Sequence, residues 1–121
     1  MSDERPDVWI GHISLAVADS RKAAELYESI GMRSVHVTDD VAIMELRGGT
    51  HIVLAPGDVE SGRDAGFDLM VEDVDAMHAA WSEAGHDVTE IGRGDIHDWF
   101  HLTGPDGARI PIYSSHVVGP V

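Results

Sequence analysis

The chain has 121 residues, no cysteine, 43% hydrophobic and 25% charged residues, and 8 basic against 22 acidic side chains, for a formal net charge of −14. That is the length of one ordinary domain with room for a hydrophobic core, and the composition of a soluble globular protein. The missing cysteines exclude disulfides, zinc ribbons and thiol catalysis, and the negative charge argues against nucleic acid or an anionic membrane surface as partner.

The start, MSDERPD, is charged and lacks an apolar h-region, so it does not read as a secretory signal. No apolar run approaches the roughly 20 residues of a membrane span, and a cytoplasmic location is expected. The first ordered pattern is HISLAVAD, where Ile13, Leu15 and Val17 alternate with small or polar residues, the period of a half-buried strand. Asp19 follows as a helix N-cap. Ala23, Leu26, Tyr27 and Ile30 then form one apolar stripe, and Gly31 suits a left-handed C-cap, so a helix is predicted near residues 20 to 30. Three shorter β-like runs follow, RSVHV, VAIMEL and THIVL, with turn signals at TDD and RGG.

After the polar, glycine-rich stretch APGDVESGRDAG the pattern starts again. Phe67, Leu69 and Val71 alternate, Asp73 caps, Met77, Ala80, Trp81 and Ala84 make a stripe, and Gly85 ends it, which predicts a helix near 74 to 84. The runs DVTEI, HDWFHL and RIPIY follow, separated by GRGD and GPDG. The copies stand at a constant offset: 66 − 12, 73 − 19 and 85 − 31 all equal 54. The chain therefore reads as one α+β domain of two βαβββ modules, about 8–54 and 66–113, joined by a linker at about 55–65. Helices are expected on one face of each sheet, and the other face must line something.

HISLAVAD, VEDVDAMHAAWSEAG and GPDGARIPIY, taken in this order, resemble the vicinal oxygen chelate superfamily: glyoxalase I, bleomycin-resistance proteins, fosfomycin-resistance enzymes and extradiol dioxygenases. The resemblance runs from about Val8 to Tyr113. It implies a curved mixed sheet closing around a cleft, a homodimer, and in many members a divalent metal held from the first and last strand of each module. Those positions fall here on His12, Val53, Gly66 and Pro111. Only His12 carries a donor, so no metal is expected at the usual position and no cofactor is predicted; a divalent ion would need a non-standard site.

Strand parity adds further cleft candidates. Ile13, Leu15 and Val17 face the helices, which leaves His12, Ser14 and Ala16 for the other face. By the same parity Asp68, His51, Arg109, Pro111 and Tyr113 face away from the helices, as do His97, Trp99 and His101 if HDWFHL is a strand. His101, four residues before Pro105, also matches a ligand-contacting position that the resemblance implies from fosfomycin-resistance relatives. Trp99 suits stacking on a planar or cationic ligand; Arg109 suits a carboxylate or phosphate, or a plain surface role beside its turn. His36, His78 and His86 read as surface, and Ser114–Ser115–His116 as a segment past the last strand. Two readings stand. One is a metal-free small-molecule binder with a pocket of His12, His51, Asp68, Trp99, His101 and Tyr113. The other is a lyase-, isomerase- or dioxygenase-like enzyme using a relocated metal, or using His12, Asp68 and His101 as acid–base groups.

Overall fold

The computed structural model describes residues 4–121; the first three residues of the charged start, and so part of the reading made of it, lie outside them. Two compact units are present. One runs up to Glu60 and takes in Val117–Val121; the other is Ser61–His116.

In the first unit β1 (His12–Val17) leads into α1 (Ser20–Ser29), followed by β2 (Arg33–Val37), β3 (Ala42–Glu45) and β4 (His51–Pro56). The sheet order is β1-β4-β3-β2, with β1 and β4 parallel and the other pairs antiparallel. The local chemistry of the sequence starts and stops the helix where expected. Asp19 accepts hydrogen bonds from the Arg21 and Lys22 amides at 3.0 and 3.1 Å, and Gly31 turns the chain out at φ 117°. Ala23, Ala24 and Tyr27 of α1 are buried against Leu15, Val17, Ala42, Met44, Ile52 and Leu54 of the sheet. Alternation then forces the odd-face side chains of β1 and β4, His12, Ser14, His51 and Val53, away from that core.

The second unit repeats the plan. β5 (Leu69–Val71), α2 (Val74–Glu83), β6 (Gly92–Arg93), β7 (Asp98–Thr103) and β8 (Arg109–Ser114) make a sheet of order β5-β8-β7-β6. Asp73 caps α2 through the Ala76 amide at 2.9 Å, and Gly85 ends it at φ 93°. Phe100, Leu102, Ile110 and Ile112 are fully buried, with Trp81 set edge-on to Phe100 at 5.7 Å between ring centroids. The architecture is thus two βαβββ modules of α+β type, as the repeat implies.

Several expectations change in detail. The run DVTEI is not a continuous strand. Asp87 to Thr89 still exchanges hydrogen bonds with His101 and Thr103, but the pairing slips by one residue before β6 resumes at Gly92. The first module carries the equivalent irregularity between Ser34 and His36, a one-residue bulge in the edge strand of each copy. Only Val74 and Trp81 of α2 are buried; Ala80 and Ala84 are exposed, because the indole fills the space between helix and sheet. The strand β4 continues through Pro56, and β8 includes Ser114, which had read as past the strand. His78 and His86 are half-buried rather than surface residues. His78 bonds the Thr89 carbonyl through Nε2 at 2.9 Å and meets Phe100 edge-on at 5.0 Å.

The offset between copies is 54 at the helices (74 − 20), 56 at the hairpin closures (94 − 38 and 97 − 41) and 58 at the third and fourth strands (100 − 42 and 112 − 54), where Ala42↔Leu54 and Phe100↔Ile112 are the matching pairs. Each arm of the second module's β6–β7 hairpin is therefore two residues longer than its counterpart. The hairpins nevertheless close alike: Thr38 N donates to Val41 O at 2.8 Å, and Gly94 N to His97 O at 3.0 Å.

Candidate functional site

The outer face of the first sheet carries a polar row. His12 pairs with His51 across β1 and β4, His51 with Glu45 across β4 and β3, and Glu45 with Arg33 across β3 and β2. The His12 and His51 rings lie 5.9 Å apart between centroids and are tilted by 30°. His51 Nε2 is 3.1 Å from Glu45 Oε1. The other carboxylate oxygen of Glu45 accepts from Arg33, with Nε at 2.7 Å. The Arg33 hydrogen bond holds the Glu45 carboxyl below the ordinary carboxylate range, against the burial that would raise it. Sequence reading found His12 and His51 but passed over Glu45, whose signal was its alternation with the core residues Ala42 and Met44.

The outer face of the second sheet is aromatic at the matching place. Gly92 pairs with Trp99, Trp99 with Tyr113, and Tyr113 with Met70. A recess of about 430 Å³ opens there, lined by Gly94, Asp95, Ile96, His97, Trp99, His101 and Tyr113. Ligand pockets are usually ~300–1,000 Å³, and the volume of this open recess falls within that range. The indole of Trp99 lies down on the backbone of its neighbours: a Cβ at Gly92 would sit 2.5 Å from Trp99 Cε2, and one at Gly94 would sit 3.1 Å from Cζ3. Only glycine permits that seat. His97 donates through Nδ1 to the Ser114 carbonyl at 3.0 Å, and its ring meets Tyr113 at 5.0 Å and His116 at 4.7 Å.

The structure thus brings His12 and His51 together in one module, and Trp99, His101 and Tyr113 together in the other. Asp68 is exposed on the approach to β5 and is not part of the recess wall. Arg109 pairs with Asp64 at 3.1 Å on the surface. His97 and the Gly94–Ile96 tip were not among the proposed ligand contacts; the hairpin turn that folds them over Trp99 carried no signal beyond GRGD.

Of the positions to which the resemblance assigns a metal, Val53 is apolar on the outer face of β4, Gly66 has no side chain, and Pro111 offers no donor beside His101. This donor set does not fit a divalent ion. Among the described residues no group of three or more His, Asp or Glu side chains is placed to hold one, and no helix is long and apolar enough to cross a membrane.

Two four-stranded βαβββ sheets with a helix packed on each define the class, and comparison with known proteins agrees. The family model for the glyoxalase/bleomycin resistance protein/dioxygenase superfamily matches residues 9–112, and the chain belongs to that superfamily. Similar solved structures include TnmS3, an antibiotic-binding protein from Streptomyces sp. CB03234, at 23% identity and TM-score 0.77, covering 92% of this chain and 98% of that one. A superfamily member from Sphaerobacter thermophilus aligns at 18% identity and TM-score 0.75, over 89% and 98% of the two chains. A lactoylglutathione lyase from Agrobacterium tumefaciens aligns at 16% and 0.74, over 91% and 96%. At these identities the likeness is one of fold. No curated protein sequence matches the chain.

Proposed function

We propose that the protein binds a small planar molecule in the recess beside Trp99, without the metal that many superfamily members use. One observation carries this reading. The recess is lined by four rings, those of Trp99, Tyr113, His97 and His101, on a glycine-backed seat that fixes the indole. Aromatic walls give a flat ligand dispersion and stacking at little conformational cost, and the imidazoles and Asp95 supply a few polar contacts to orient it. The antibiotic-binding neighbour supports sequestration of a natural product as the task. A homodimer and a cytoplasmic location complete the proposal; nucleic acid and membrane are not proposed as partners.

The test is a thermal-shift screen of planar aromatic compounds followed by titration of the hits. A ligand at a hundred times its Kd stabilises by about 2.7 kcal/mol. That shift is expected to disappear in Trp99→Ala while the unliganded protein stays folded. Hits that stabilise Trp99→Ala as well as the parent would place binding elsewhere. Light scattering at micromolar concentration tests the dimer, and a monomer mass would refute it.

A further inference from the structure

We propose that His51 is a general base, and that Glu45 and Arg33 are its positioning residues. The claim rests on the row across the first sheet and not on the Trp99 recess, so loss of ligand binding at that recess would leave it standing.

The geometry assigns the roles. Glu45 Oε1 lies 3.1 Å from His51 Nε2. An ionised carboxylate only accepts, so the neutral imidazole carries its proton on Nε2 and leaves Nδ1 with the free lone pair. Arg33 occupies the other oxygen of Glu45 and keeps that carboxyl ionised. Glu45 therefore fixes the ring without competing for the proton it takes up. His51 is neither buried nor loose: its side chain is 27% exposed and that of Glu45 21%, whereas Arg33 is 79% exposed. The base and its carboxylate are both partly exposed, and the cation sits at the solvent end. A cross-strand charge pair alone would be satisfied by Arg33 and Glu45; the second bond, between Glu45 Oε1 and His51, is what makes the row a relay. The titratable or charged groups facing His51 are His12 from β1 and Glu45 from β3, with Arg33 of β2 acting through Glu45.

In the step itself the X–H bond of the bound acid breaks, its electron pair stays on X, and the proton bonds to Nδ1. The imidazolium so formed faces Glu45, which balances its charge, and the proton then returns to the product or to water. No oxidant, metal or second substrate is needed.

The probe is 5-nitrobenzisoxazole, a carbon acid whose deprotonation opens the ring to a coloured phenolate, assayed with the intact protein beside ¹⁵N NMR of the imidazoles. The wild type is expected to exceed His51→Gln by about a hundredfold, at the low end of what a positioned base contributes. Glu45→Gln, which keeps the shape but loses the charge, is expected to lose most of that advantage. Glu45→Leu is expected to convert His51 from the Nε2–H tautomer to a mixture, which reports the loss of the bond to Glu45. Equal rates for wild type and His51→Gln would overturn the proposal, as would an Nδ1–H tautomer at His51 in the wild type.

Discussion

Replacing Gly92 by alanine separates a role for the glycine in seating Trp99 from a role in the backbone. The added Cβ would lie 2.5 Å from Trp99 Cε2 and closer still to Cζ2. Carbon atoms rest ~3.5 Å apart or more, so the indole must withdraw by about 1 Å, and the open direction is the recess it lines. Trp99 is half-buried, so the ring swings at modest cost, about 1 kcal/mol, at the bottom of the overpacking range. Gly94→Ala is different: its Cβ would meet the His97 carbonyl oxygen at 2.9 Å, and a backbone atom in a closed hairpin turn does not swing, so about 1–3 kcal/mol is expected. At roughly 4 °C per kcal/mol for a chain of this size, Gly94→Ala melts several degrees below Gly92→Ala. The paired readout is the indole N–H resonance of Trp99, assigned by Trp99→Phe. Gly92→Ala should move it and weaken binding of any recess ligand more than tenfold, with the fold intact. An unmoved resonance, or a larger loss of stability from Gly92→Ala than from Gly94→Ala, would refute the seating argument.

Trp81→Ala removes the one large side chain of α2 that reaches the core, beside Phe100, and should cost about 3–5 kcal/mol in urea unfolding; a loss below 1 kcal/mol would mean that α2 is not docked through it. Acid should weaken the fold through Glu45 and Asp75, whose carboxyls Arg33 and Arg93 hold below their ordinary values of 4.5 and 3.8. Because the folded values are depressed, this stability is complete above the ordinary values and is lost as pH falls through the folded ones. Arg33→Gln and Arg93→Gln should each flatten the fall in urea midpoint between pH 5 and pH 2. Protein dialysed against buffer should retain no stoichiometric metal, measured by mass spectrometry; metal kept by the wild type and by His51→Ala but lost from His12→Ala would restore the standard centre.

What the sequence disclosed follows from range. Caps are local, so Asp19, Asp73, Gly31 and Gly85 marked both helices within a residue of their ends. Strand faces have period two, so Phe100 and Leu102 buried themselves and left Trp99 and His101 on the other side. Longer-range facts were not available. The link from His51 to Glu45 depends on the register of β3 against β4, set by the turn at Arg47–Gly49. The burial of His78 depends on where Thr89 lies just before a bulge, which no local pattern announces. The alanines of α2 looked like core by spacing, yet spacing says nothing about how far a neighbouring tryptophan holds a helix from its sheet.

The longer hairpin of the second module has one more consequence. Each arm is two residues longer than its counterpart, and two is the smallest difference that keeps every side chain on its face. One residue per arm would have exchanged Phe100 for Trp99 in the core. The wall of the recess can therefore lengthen or shorten only in quanta of a residue pair per arm, about 7 Å at each step, and each such step leaves Leu102, Ile110 and Ile112 packed as they are. A chain built of two such modules can resize one recess without renegotiating its interior, and the sizes that the recess can take are discrete.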